Sequence, residues 1–312
     1  MSNKFKIVIK PQYEEAYRFS EGLSGVKIND KWGYINKKGD FVVQPQYNEA
    51  ISFTEGLSPV KQNGCWGYID KRNKMIIEPK FQMAGIFKGG LADVEINDKW
   101  GYIDKSGKFL IEPQFEWAEA FHEGFAVIQL DDKWGYVGKS GQIFIKPKFG
   151  YAGNYSEGLA PVEVEGKWAY IDFSGQFFIE PQYEFAYFLS EGLAAVKKDG
   201  KYGYIDETGK IVITPQFDHA DNFAEGLAAV RINDKWGFID IDGNIKIKAE
   251  FHDAFAFLHG FSGIKIDNQW GYINRKGDYV IEPQFEKVAS LCIVETLFPV
   301  KIDNQWGFIS LQ

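Results

Sequence analysis

The sequence predicts an all-β protein, a closed toroidal β-propeller of nine short blades of 34 residues each. Three observations carry that expectation: an aromatic motif that returns at fixed spacing, two further markers that keep its phase, and chain ends that complement each other. The motif is Lys99-Trp100-Gly101-Tyr102-Ile103-Asp104. Its aromatic residue recurs at Trp32, Trp66, Trp100, Trp134, Trp168, Trp236, Trp270 and Trp306, with Tyr202 filling the one gap. Adjacent copies lie 34 residues apart, except the last pair, at 36. A fixed period in this range is the mark of a repeat architecture. Pro11, Pro45, Pro79, Pro113, Pro147, Pro181, Pro215 and Pro283 share one phase, and Ala249 stands where proline is skipped. Gly22, Gly56, Gly90, Gly124, Gly158, Gly192, Gly226 and Gly260 share another.

Taken in order through 215–248, each piece of the unit reads as a short strand or a turn. Phe217–Phe223 is a fourth short strand or an ordered loop; its apolar spacing also fits one helical turn, too short to stand alone. Leu227–Ile232 is a strand. Asn233-Asp234 is the two-residue connection of a hairpin, like Asn63-Gly64, Glu165-Gly166, Asp199-Gly200 and Asp267-Asn268, residues that tolerate positive φ in primed turns. Lys235–Asp240 is the returning strand. Asp104-Lys105-Ser106-Gly107 and Asp206-Glu207-Thr208-Gly209 fit type I turns with glycine in the left-handed slot. Lys210–Ile213 is the next strand, which Pro215 is expected to stop for want of an N–H.

Phe109-Leu110-Ile111 is apolar on both faces, as in a sheet covered on both sides. One 34-residue unit cannot cover its own faces, so neighbouring units must, with Gly101 letting the next unit approach closely. The ends favour a ring. The ninth unit, from Pro283, lacks its last strand, and Phe5–Lys10 offers a spare one in the matching register. Pairing the two locks a propeller and hides edge strands. The alternative is an open β-hairpin solenoid or spiral stack, which needs atypical end units. Ala249, His259 and the degenerate stretch 290–296 favour it. The expected organisation is one domain over 1–312: a closing strand at 5–10, units 11–44, 45–78, 79–112, 113–146, 147–180, 181–214, 215–248 and 249–282, and an incomplete 283–312.

The chain has 312 residues, 17% of them aromatic, and a net charge of −8. Aromatic residues favour strands. The charges are interspersed, so they serve solubility and form no tail, and no Lys/Arg cluster offers a nucleic-acid footprint. No apolar run approaches a membrane span. Cys65 and Cys292 make no disulfide framework. A cytoplasmic monomer is expected, and no cofactor.

The recurrent Lys-Trp-Gly-Tyr-Ile-Asp, with Pro-Gln-Phe before it and Glu-Gly-Leu-Ala between, resembles the WG-repeat family over residues 5–312. The departures are Tyr202, Ala249 and Val294. The family is mostly bacterial and regarded as a β-rich interaction module; the resemblance implies a binding role and no catalytic residues to carry over.

Read for chemistry, the four histidines, His122, His219, His252 and His259, occupy different places in the unit and form no metal-ligand set. Glu21, Glu55, Glu123, Glu157, Glu191 and Glu225 recur before glycine. Either they line up for a cationic partner or each accepts backbone N–H groups at its own turn. The repeated tryptophans, with Tyr202, are expected to be inter-unit core. An enzyme would need a carboxylate in one unit that the others lack, and only Asp93 and Asp253 qualify. No catalytic residue is assigned.

The position before the unit's alanine varies most: Glu15, Glu49, Met83, Trp117, Tyr151, Phe185, His219, Asp253, Lys287. Variable side chains at one position of a repeat line a surface strip, where repeat proteins bind. Met83, Trp117, Tyr151, Phe185 and His219 are therefore the candidate partner-binding residues, with packing against neighbouring rings the competing explanation. The expected function is a non-catalytic scaffold for another protein, its partner basic because the chain is acidic. An immunity protein that neutralises a bacterial toxin and a glycan-binding propeller are the alternatives.

Overall fold

The computed structural model describes residues 5–289 and 297–311. Cys292, Val294 and the rest of the degenerate stretch 290–296 lie outside the described residues. The described residues hold 36 strands in nine four-stranded sheets, eight of them meanders in sequence order. The fold is a nine-bladed β-propeller. Blade 6 shows the pattern: Phe185–Ala186, Leu193–Lys198, Lys201–Asp206 and Ile211–Phe217. The least certain piece of the sequence reading is thus a two-residue strand followed by an ordered loop.

The chain ends pair as the sequence predicts. Phe5–Tyr13 runs antiparallel to Gln305–Leu311, with Phe5 opposite Leu311 and Ile7 opposite Ile309. The first strand completes the ninth blade, which rules out the open stack. The chain divides into two compact units, one of Met1–Phe121 with Phe285–Gln312 and the other of His122–Gln284.

The two turns of the unit form by the expected local chemistry. Asn233 and Asp234 take φ of 49° and 62°, and Asp199 and Gly200 take 52° and 76°, so the hairpins are of the primed type. In the second turn the Asp104 carboxylate accepts the Ser106 and Lys108 amides while Gly107, at φ 83°, takes the left-handed slot. A third tight turn is Glu-Gly itself. Glu191 and Gly192 take φ of 55° and 77°, and Ser190 and Leu193 exchange backbone hydrogen bonds around them.

Proline behaves differently from the sequence reading. The fourth strand runs through Pro215 to Phe217, with a register irregularity beside it. A proline at a bulge of an edge strand removes no ladder bond, so the strand continues. The same bulge explains the glycine after each tryptophan. A Cβ on Gly101 would lie 2.6 Å from the Ile111 carbonyl oxygen and 2.8 Å from the Pro113 nitrogen. The close approach is by the blade's own fourth strand, not by the next unit. Blade 5 carries Ala169 at this place and keeps the same register. Leu110 is 50% exposed, so the fourth strand is apolar on two faces but covered on one.

The cores lie between blades. Leu159, Tyr170 and Ile179 of blade 5 pack with Ala194, Val196 and Ile205 of blade 6. Leu227, Phe238 and Ile247 of blade 7 pack with Ile264 and Ile273 of blade 8. Polar rungs accompany them. The buried hydroxyls of Tyr34, Tyr68 and Tyr102 donate to the carbonyls of Ile51, Gly85 and Glu119 in the following blade. Tyr136, Tyr170 and Tyr204 do the same to Gly153, Tyr187 and Asp221.

The recurrent glutamates make a second set. Each carboxylate accepts backbone N–H groups, but at the next blade's Glu-Gly turn and not at its own. Glu55 takes the amides of Gly89 and Gly90, Glu157 those of Glu191 and Gly192, and Glu191 those of Glu225 and Gly226. Two successive left-handed residues aim their N–H groups at one point, which makes an anion-binding concavity. The carboxylate fills it. That gain explains a glutamate in a left-handed conformation, which L residues other than asparagine and aspartate rarely adopt.

Two outcomes follow. Glu191→Ala leaves the Glu225 and Gly226 amides to water and costs no more than about 1 kcal/mol, and Tyr170→Phe, whose hydroxyl is buried, costs about 1 kcal/mol, read by denaturant unfolding. Burial alone would raise the Glu55 carboxyl, but Lys105 and the Gly89 and Gly90 amides outweigh it and hold it below the usual range. A depressed folded-state pKa stabilises above the unfolded-state value and loses that contribution as pH falls. Stability therefore declines as pH drops below about 4.5, and Glu55→Gln makes the decline shallower in acid titrations followed by circular dichroism.

Candidate functional site

The variable position falls on the two-residue first strand of each blade, pairing across the second strand: Tyr151 opposite Glu163, Phe185 opposite Lys197, His219 opposite Arg231. The same second-strand residue opposes the motif tryptophan on its other side, as Glu163 opposes Trp168. The variable side chain therefore lies over the tryptophan row.

In the unit of residues 122–284 this produces a run of eight rings. Trp134 lies 5.0 Å from Tyr151, Tyr151 5.6 Å from Trp168, Trp168 4.9 Å from Phe185, and Phe185 4.9 Å from Tyr187. The run continues from Tyr187 to Tyr202 at 6.5 Å, to His219 at 4.9 Å and to Trp236 at 5.4 Å. Tyr151 is 42% exposed, and the other seven are half-buried. The tryptophans of this run are not the sealed core that the sequence reading assigns. Trp32 and Trp270 are sealed, because Tyr17 and Phe255 stack flat on them at 4.5 and 4.6 Å. Trp66 and Trp100 are also buried, and Trp306 is half-buried.

Met83 and Trp117 belong to the other unit. Trp117 sits 5.2 Å from Trp100 and stays 44% exposed. Met83 edges a pocket of about 440 Å³ with Tyr17, Trp32, Trp66, Glu15 and Glu49. Both carboxylates there are already paired, Glu15 with Lys27 at 3.2 Å and Glu49 with Lys61 at 2.8 Å. Of the five predicted residues, the structure gathers Tyr151, Phe185 and His219 into one run of rings. Sequence reasoning missed Tyr187, two residues past Phe185, which bridges Phe185 to Tyr202; only a second variable column would have revealed it.

The two carboxylates singled out for an enzyme lie in different compact units. Asp253 is half-buried and accepts the Ala254 amide. Asp93 is buried over Gly85, where an added Cβ would sit 2.4 Å from its carboxylate oxygens. Burial pushes the Asp93 carboxyl up to about 6 against the pull of its own backbone amide, and the Glu119 charge adds to the rise. Among the described residues, no group of three or more His, Cys, Asp or Glu is placed to hold a metal ion, and no helix is long and apolar enough to cross a membrane.

The fold and the ring-lined face define a repeat propeller with an aromatic surface run. The WG-containing repeat pattern matches nine consecutive segments, 1–32, 32–64, 66–100, 100–134, 134–168, 168–202, 202–236, 236–270 and 270–306. The chain belongs to the WG-containing repeat family. A crystal structure of a eukaryotic initiation factor is similar in fold, with TM-score 0.61 and 11% identity over 91% of this chain and 88% of that one. The C-terminal WD40 domain of Sif2 aligns with TM-score 0.48 and 8% identity over 99% and 98%. No curated protein matches the sequence.

Asp93 gives a test of the packing. A raised folded-state pKa means the ionised form is disfavoured by folding: the penalty is absent below the unfolded value near 3.8 and full above about 6. Asp93→Asn therefore stabilises the protein by on the order of 2 kcal/mol at pH 7 and has little effect at pH 4, read as the difference in unfolding midpoints.

Proposed function

We propose that this chain is a non-catalytic binding module that presents the ring run of blades 4 to 7 to another protein. The observation that carries the reading is the continuity of half-exposed rings from Trp134 to Trp236. Aromatic side chains that hold their geometry while partly open to water supply large contact area at small entropic cost. Membership of a family regarded as interaction modules and a fold that often serves as a scaffold support the same reading. Net charge of −8 favours a basic partner by steering its approach. Neutralisation of a basic toxin by a cytoplasmic monomer is the finer form of the proposal. Glycan recognition is the second reading, favoured by the half-buried indole rings of Trp134, Trp168 and Trp236.

The test uses immobilised full-length protein and extract of its native host, with retained proteins identified by mass spectrometry. The double variant Tyr151→Ser/Phe185→Ser keeps its melting temperature within about 5 °C, the scale of 1 kcal/mol in a domain, and loses the partner. A variant that still retains the partner overturns the strip as a contact face. A melting loss several times larger makes both residues core. Retention of oligosaccharides in place of protein favours the second reading.

A further inference from the structure

We propose that a pocket beside the ring run receives a lysine or arginine side chain of the docked protein. This deepens the reading above and rests on it. The pocket, about 370 Å³, lies where the loops after the first strands of blades 6, 7 and 8 meet, and Tyr187, Phe188, Asp221 and Asn222 line it. Tyr187 also belongs to the ring run, so pocket and strip are continuous.

The pocket's polar atoms point to one chemistry. The Asp221 carboxylate has His219 Nδ1 as its neighbouring ring nitrogen, at 3.7 Å, too far for a hydrogen bond. Burial raises the Asp221 carboxyl, His219 lowers it in part, and the Asp253 charge raises it further. Asn222 Oδ1 is buried with no hydrogen-bond partner. The Asp221 carboxylate, 35% exposed, thus stands in a half-dry site with no hydrogen-bond donor in reach, which costs free energy until one arrives. A neutral amide leaves the carboxylate's charge uncompensated. An anion is repelled. An ammonium or guanidinium carries both the donors and the charge, and its methylene stem suits the faces of Tyr187 and Phe188, the latter 44% exposed.

The repeat does not demand this carboxylate. At the place of Asp221 the other described blades carry Tyr17, Ile51, Gly85, Glu119, Gly153, Tyr187, Phe255 and Ala289. The framework folds with a ring, an aliphatic chain or no side chain there. What the blade needs from this residue is its carbonyl, which accepts the Tyr204 hydroxyl whatever the side chain. The Asp221 side chain is therefore free to be chosen for what it meets.

The test is NMR titration of the isotopically labelled full-length protein with three probes: N-acetyl-arginine amide, N-acetyl-lysine amide and N-acetyl-norleucine amide. At least one basic amide shifts the Ala224 and Ala256 amide resonances saturably, and norleucine amide binds at least about tenfold more weakly. Asp221→Asn weakens the basic probe by about tenfold while leaving the melting temperature unchanged or higher. Equal binding of norleucine amide, undiminished binding to Asp221→Asn, or no shift with either basic amide up to about 50 mM overturns the pocket. The two failures are distinguishable. Loss of partner capture in Tyr151→Ser/Phe185→Ser with no amide binding leaves the strip and removes the pocket. Amide binding with undisturbed capture leaves the pocket and removes the strip.

Discussion

Blades 1 to 7 of this protein each make hydrogen bonds to the following one, and the rest of the structure depends on that constraint. A 34-residue meander has two faces and too little chain to cover either. The apolar cores lie between successive blades, as with Tyr170 and Ile179 against Val196 and Ile205. Apolar contact alone is indifferent to sliding, because one smooth face can meet another in many registers. The tyrosine hydroxyls and glutamate carboxylates are not indifferent. Tyr170 must reach the Tyr187 carbonyl or a buried hydroxyl goes unpaired, and at the surface Glu157 holds the Glu191 and Gly192 amides. The rungs therefore fix how far one blade is turned against its neighbour.

The letters of the repeat acquire separate reasons. Tryptophan supplies the ring row, glycine clears the way for the bulged fourth strand, and tyrosine carries the hydroxyl across the interface. The aspartate that ends the motif caps the second turn, and the glutamate reaches a turn one blade away. None of these roles involves a ligand. The rungs do not use the side chains at the position of Tyr151, Phe185 and His219, and from the Asp221 column they take only the carbonyl.

Much of the fold was legible in the sequence, because the period, the primed-turn dipeptides and the spare strand Phe5–Lys10 are local signals. What escaped the sequence were destinations. A glutamate before glycine announces an acceptor of amides, but nothing local says that the amides belong to the next blade. Proline announces a missing donor, but a bulge on an edge strand absorbs it, so Pro215 sits inside its strand. The site was half legible. The variable column was found from the residue series, yet which tryptophans carry a flat-stacked ring depends on a second column. Tyr17 and Phe255 lie flat on their tryptophans, whereas Gly153 and Asp221 hold the equivalent places in blades 5 and 7, where Trp168 and Trp236 stay half-open.

The central claim is that the carboxylate rungs run from one blade to the following one. Hydrogen exchange, resolved by residue, reads them directly in a Glu157→Gln variant. The account predicts faster exchange at the Glu191 and Gly192 amides, with the amides of residue 157 and Gly158, held by Glu123, unchanged. Faster exchange at residue 157 and Gly158 with Glu191 and Gly192 unaffected would contradict it, because the carboxylate would then serve its own turn and no carboxylate would tie one blade to the next.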